Sequence, residues 1–183
     1  LDLSRRGLGT VHPNPSVGCV IVKDGHIIGR GWTGRGGRPH AEAIALERAI
    51  NAEGATAYVT LEPCAHHGKT PPCAAALVSA GVAEVIIATN DPDPRVSGDG
   101  IKILQEAGIC VHCGLMKSQA DLIHQGFFNR IELNRPLVTV KIASSADGKI
   151  AKNMGNQPRI ANARAYVPRQ SRCHFGGDWY CPC

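Results

Sequence analysis

Three side chains able to ligate a borderline metal ion, His40, Cys64 and Cys73, are joined by a carboxylate, Glu42, two residues after the first. A neutral imidazole and two thiolates balance the charge of Zn2+ and leave one tetrahedral position open, the arrangement of a catalytic zinc. A structural zinc site closes with a fourth protein ligand, and none follows at matching spacing. Bound zinc lowers the pKa of a water molecule to about 7 in the best cases. On a helix, a residue two positions beyond His40 points to a different side, so Glu42 need not ligate and can face that water. A carboxylate so placed can take a proton from water and deliver protons to a ring nitrogen and to departing ammonia. That is the acid–base work of hydrolytic deamination. The competing readings are a buried histidine beside two unrelated thiols, or a closed structural site. The placement of all three ligands at element ends weighs against both.

The elements that position these residues can be read from periodicity. Residues 17–22 form a short β-branched run, Asp24-Gly25 is a hairpin turn signal, and residues 26–29 are the returning strand. Residues 30–39 carry four glycines and a proline and read as a loop. From His40 the apolar residues Ala41, Ile44, Ala45, Ala49 and Ile50 recur at helical spacing to about Asn51. A strand is expected at 56–61, a polar loop at 65–72, and a helix opened near Pro72 and closed by Gly81. A strand at 85–88, a loop at 90–100, a helix at 101–107, a strand at 109–113 and a helix at 118–131 complete the series. A hairpin followed by alternating strands and helices predicts an α/β fold, a three-layer α/β/α sandwich. His40 and Cys73 then sit at helix starts, where the helix dipole favours thiolate and developing negative charge.

Composition narrows the class. The chain has 183 residues, a net charge of +5, 43% hydrophobic residues and 4% aromatics, with no apolar run long enough to cross a bilayer. Scarce aromatics and scattered basic residues give no stacking platform or basic groove, so no nucleic-acid or membrane partner is expected. A mildly basic surface suits a small anionic substrate. Without a signal-peptide pattern, the eight cysteines are expected to serve metal binding or burial in a cytoplasmic protein. The first residues, Leu1 to Arg6, lack an initiator methionine and read as a truncated N-terminus. Cys110-Val-His-Cys113 resembles half a zinc knuckle but lies on a strand that alternates its side chains, and is expected to pack in the core, as is Cys19.

Zinc nucleobase deaminases share His-x-Glu followed by Pro-Cys-x-x-Cys. His40-Ala-Glu42 and Pro63-Cys64 fit, but eight residues separate Cys64 from Cys73 where the short form has two. That insertion, Glu62-Pro-Cys-Ala-His-His-Gly-Lys-Thr-Pro-Pro-Cys73, resembles the deaminase domain of the bifunctional riboflavin-biosynthesis deaminase/reductase family. So do His12-Pro-Asn-Pro-Ser-Val-Gly-Cys19, Pro39-His-Ala-Glu42 and Asp91-Pro-Asp-Pro-Arg-Val-Ser-Gly98. The resemblance runs from about Arg5 to Ala151 and implies a cytidine-deaminase-like sandwich. It also implies Zn2+ on His40, Cys64 and Cys73, with Glu42 as the catalytic proton shuttle. The implied substrate is 2,5-diamino-6-(5-phosphoribosylamino)pyrimidin-4(3H)-one, whose 2-amino group leaves as ammonia to give a uracil derivative. Asn14, His66 and Lys69 match substrate-binding loop positions, and the choice between His66 and His67 is left open. A homo-oligomer is a further expectation. The runner-up is a cytidine- or tRNA-adenosine-type zinc deaminase; a reading of another class is an inactive zinc-binding fragment.

In that family a dihydrofolate-reductase-like, NADPH-dependent domain follows. The expected division is a deaminase domain at 1–133 and an incomplete start of the reductase at 134–183, with Arg135 to Ile150 resembling its opening strand, 137–142, and loop. Ala143 falls where relatives contact cofactor, and Asp147 where they contact cofactor or substrate. From about Ser171 the chain departs from the family. A one-base shift in codons allowed for His174–Cys183 can read Thr-Ser-Val-Gly-Ile-Gly-Thr-Val-Leu, which matches a strand and loop of the reductase. The tail is therefore expected to be a frameshift product, and reductase activity is not expected.

Overall fold

The computed structural model describes residues 1–66, 71–94 and 97–140, with Ile142, Ala146 and Gly148. One compact unit spans Leu1–Leu137, and a second, Val138–Cys183, lies almost wholly outside the described residues.

A short helix α1 (Asp2–Arg5) precedes the hairpin β1 (Gly18–Lys23) and β2 (His26–Trp32). Asp24 and Gly25 close it with φ of 49° and 74°, the two positive values that a type I′ turn demands. There follow α2 (Ala41–Arg48), β3 (Thr56–Val59), α3 (Cys73–Ser79), β4 (Glu84–Ile87), α4 (Asp99–Glu106), β5 (Cys110–Cys113) and α5 (Lys117–Leu133). The strands form one mixed sheet in the order β2-β1-β3-β4-β5. β1 is antiparallel to β2 and β3, while β3, β4 and β5 run parallel, as helical crossovers require.

The return strand is three residues longer than predicted, because β1 pairs with it as far as Gly18 opposite Trp32. The glycines at 29 and 31 are thus strand residues, and their purpose is contact. A Cβ on Gly31 would run into the Ala41 carbonyl oxygen and come within 2.8 Å of the Ala45 nitrogen; one on Gly29 would strike the Ala45 carbonyl. α2 lies directly on these two positions, with Ala41 and Ala45 wholly buried. Cys19, Ile21, Ala57, Val59, Val85 and Ile87 continue this face of the sheet into the core, beneath Ala74, Leu77 and Leu104 of α3 and α4.

The other face is covered at one end only. α1 sits over Gly18, where Leu3 and Ser4 leave no room for a side chain, and α5 is anchored by buried Ala120 and His124. Cys110 and Cys113 are exposed, contrary to the core packing expected for them, because β5 is the edge strand and α4, which packs against it, covers neither side chain. Leu137–Val140, within the strand expected at 137–142, form no strand, and residue 141 lies outside the described residues.

His124 places an imidazole inside this scaffold. Its Nε2 donates to the Thr60 carbonyl at 3.2 Å, which can only accept, so Nδ1 is the unprotonated nitrogen and is buried with no hydrogen-bond partner among the described residues. Burial is the main cause of a pKa lowered from 6.5 to about 4. The unfolded chain takes up the proton near 6.5 and the folded chain only near 4, so stability falls as the pH drops through that window. The full linkage is about 3 kcal/mol. Unfolding free energies measured from pH 7 to 4 should therefore decline less steeply in His124→Phe than in the parent. Parallel curves would show that His124 titrates normally in the fold.

Candidate active site

Two helix starts and one strand end deliver the metal-ligating residues to a single point. His40 is the N-cap of α2, extended at φ −71° and ψ 157°, and makes no side-chain cap. The N-cap is a position that Ser, Asp or Asn ordinarily fill with a capping hydrogen bond, so His40 leaves the helix uncapped and frees its ring. Cys64 lies beyond the end of β3, and Cys73 opens α3. The His40 Nδ1 is 3.2 Å from Cys73 Sγ and 3.6 Å from Cys64 Sγ, and the Cys73 backbone N–H donates to Cys64 Sγ at 3.3 Å. The other ring nitrogen faces the Asn14 amide at 3.4 Å, which is itself held by the Gly37 carbonyl at 2.8 Å. The ring is thereby oriented with Nδ1 toward the sulfurs.

This donor set fits zinc. Zn–N and Zn–S bonds of about 2.0–2.3 Å give tetrahedral ligand separations of roughly 3.3–3.8 Å; of the observed nitrogen–sulfur distances, 3.6 Å lies within that range and 3.2 Å just below it. Among the described residues the ligand cluster contains His40, Cys64 and Cys73 alone, which leaves the fourth position to water or substrate.

Glu42 is buried in the first turn of α2. Burial, reinforced by the charge on Cys64, pushes its carboxyl up to about 7. Hydrogen bonding from Cys73, with help from His40, brings the Cys64 thiol down to about 4 against the cost of burial. The same bond and burial push Cys73 up, and its hydrogen bond to Cys64 raises His40. His40, Glu42 and Cys64 line a cleft of about 370 Å3 together with Asn14 and exposed His66. Lys69, His67 and Ala143 lie outside the described residues.

Comparison with known proteins agrees with this geometry. Residues 2–89 match the cytidine and deoxycytidylate deaminase zinc-binding region. The riboflavin biosynthesis protein RibD of Escherichia coli is 51% identical over 166 residues, 90% of this chain and 45% of the relative. The chain thus spans about half the length of such curated relatives. Solved structures of Acinetobacter baumannii RibD (TM-score 0.80, 50% identity) and of the Thermotoga maritima deaminase/reductase (0.82, 43%) superpose on 90% and 88% of this chain, and on 46% and 47% of theirs. The diaminohydroxyphosphoribosylamino-pyrimidine deaminase of Buchnera aphidicola from Acyrthosiphon pisum is 49% identical over 137 residues, 74% of this chain and 93% of the relative. The chain belongs to the diaminohydroxyphosphoribosylaminopyrimidine deaminase family. The members of this family are zinc-dependent hydrolytic deaminases with a cytidine-deaminase-like fold, and the NADPH associated with the family serves its reductase half.

Three residues of this deaminase fold escaped the sequence reading. Arg38 and Arg130 also line the cleft, and Arg130 donates to the Pro13 carbonyl at 2.7 Å while lying over the Phe127 ring. They come from a glycine-rich loop and from the last turn of a distant helix, and no spacing rule links them. Glu62 is the third. Its Oε1 accepts from the Gly98 and Gly100 backbone N–H groups at 2.9 and 3.2 Å, and Oε2 from that of Asp91 at 3.4 Å. One carboxylate thus ties the segment that ends in Cys64 to both ends of the 91–100 loop, which supplies Asp91 and Asp93 to the cleft. Gly100 is obligatory there, because a Cβ would meet the Pro63 carbonyl oxygen. The signal was present in Glu62-Pro-Cys64, where an acidic residue stands between the run at 56–61 and the first cysteine ligand.

Removing Glu62 leaves three backbone donors without an acceptor, and each orphaned buried donor costs about 1–3 kcal/mol. Glu62→Ala should lower stability by at least about 2 kcal/mol in denaturant titrations and accelerate amide exchange at Gly98 and Gly100, with Glu62→Gln falling between. Unchanged exchange at those amides in Glu62→Ala would show that the tie does not hold the loop.

Proposed function

We propose that this chain hydrolyses the 2-amino group of the phosphoribosylated diaminopyrimidine of flavin synthesis, giving the corresponding uracil derivative and ammonia. The observation that carries this reading is the buried Glu42 carboxyl lining the same cleft as His40 and Cys64, beside a three-ligand site with one position open. The name of the Buchnera relative, which the chain covers almost fully, supports the substrate.

His40, Cys64 and Cys73 would hold zinc, which supplies a nucleophilic water at neutral pH when bound. Glu42 would take one proton from the attacking water and pass it to the ring nitrogen next to the carbon under attack. It would then take the second proton from the new hydroxyl and pass it to the amine, so that the C–N bond breaks, ammonia leaves and the carbonyl forms. Its burial keeps bulk water from competing for those protons. Asn14, positioned through the Gly37 carbonyl, offers its amide to the edge of the pyrimidine. His66 and Lys69 serve the ribose phosphate in the same reading, and Arg38 and Arg130, which line the cleft, are cationic groups suited to a phosphate. The reading divides the chain into a deaminase at 1–133 and the opening of a reductase segment from 134, in which Ala143 would face NADPH. It takes the protein to act on a small molecule as a cytoplasmic homo-oligomer, without nucleic acid or membrane. Among the described residues no helix is long and apolar enough to cross a membrane.

Purified zinc-loaded protein should release ammonia from the diaminopyrimidine nucleotide and from neither cytidine nor a tRNA anticodon stem. Release from cytidine alone would move the substrate assignment to the runner-up class. Glu42→Gln should keep its zinc by elemental analysis and lose roughly 10²–10⁴-fold in kcat; near-normal turnover would remove Glu42 from the proton-transfer role.

A further inference from the structure

The edge of the sheet gathers a second set of metal-ligating groups. In the parallel register Glu84 stands opposite Cys110 and Ile86 opposite His112. Cys110 and His112 are two apart on β5 and so share a face, which they share with Glu84. The His112 Nε2 is 3.3 Å from Glu84 Oε1 and 3.3 Å from Cys110 Sγ. The three ligand atoms all lie within 4.8 Å of one another.

Three features set this cluster apart from a chance meeting of polar side chains. The donor types are mixed, with one imidazole nitrogen, one sulfur and one carboxylate oxygen, a combination suited to zinc-like cations and poorly suited to Ca2+ or Mg2+. Both contacts converge on one histidine nitrogen at the ligand–ligand spacing of roughly 3.3–3.8 Å that tetrahedral coordination imposes. Glu84 is also oriented: Thr56 Oγ1 donates to its Oε2 at 3.0 Å, and Oε1 is the oxygen nearest His112. Such an outer hydrogen bond on a ligating carboxylate is the usual support of a built metal site. The His112 side chain is 61% exposed, so a hydrated ion can reach the cluster directly.

We propose that Glu84, Cys110 and His112 form a second, surface site for a borderline divalent cation of the Zn2+ or Co2+ class. It is separate from the cleft and independent of the proposed activity. Solvent completes the coordination. An ion held there links β5 to β4 and so clamps the edge strand to the sheet, and it stabilises the fold in proportion to its occupancy.

The test uses the full chain carrying its one zinc, dialysed into metal-free buffer and titrated with Co2+. The parent should take up one equivalent more than the Cys110→Ser/His112→Ala double variant, with a cobalt–thiolate charge-transfer band. Cys110→Ser should remove that band, and His112→Ala should weaken cobalt binding at least tenfold. Both side chains are exposed, and superimposable circular dichroism spectra will show that the variants are folded. Equal uptake with an equal charge-transfer band in parent and double variant would overturn the proposal, because other residues would then hold the ion. Absence of a second equivalent in the parent would overturn it as well.

Discussion

The molecule is organised around one geometric demand: a nitrogen and two sulfurs from distant parts of the chain must meet within 3.2–3.6 Å. His40 and Cys73 satisfy it because α2 and α3 both begin at the end of the sheet where β3 delivers Cys64. That arrangement depends on how closely α2 approaches β2. Gly29 and Gly31 have no side chains to hold the helix away, and Ala41 and Ala45 complete a contact that a single added methyl would obstruct. The position of His40 is thus set by packing several residues away from it.

A second demand is electrostatic. In the proposed reaction Glu42 must be near the ligands yet outside their set, and buried enough that its proton passes to substrate and not to solvent. Helical geometry answers the first need by turning Glu42 away from His40, and its place under the cleft answers the second. Glu62 does different work with the same chemical group. Its carboxylate is consumed by backbone N–H groups of the 91–100 loop, so it holds the wall of the cleft and the Cys64 segment together. Two buried glutamates at one site are thus placed differently, one lining the cleft with His40 and Cys64 and one bonded to the backbone.

Much of this was legible in the residues. His40, Glu42, Cys64 and Cys73 stand where residue chemistry and element boundaries placed them, and the hairpin turn at Asp24-Gly25 followed from its composition. The failures have physical causes. Gly29 and Gly31 flanked a glycine-rich stretch, and glycine marks a close approach as readily as it marks a loop, so β2 was read too short. Core packing is expected for Cys110 because a strand alternates its side chains and so breaks up a zinc knuckle; the strand order, which makes β5 an edge, is a property of the whole sheet. Arg130 and Glu62 act through contacts between segments 29 or more residues apart, beyond the reach of any local pattern.

The account rests most heavily on the identity of the ligands at the cleft. X-ray absorption at the zinc edge, recorded on the purified chain carrying one zinc, reads those ligands directly. The geometry predicts two sulfurs at about 2.3 Å with one imidazole nitrogen and one further light atom at about 2.0–2.1 Å, and one sulfur fewer in Cys73→Ser. A spectrum with four sulfurs, or one unchanged in Cys73→Ser, would contradict it.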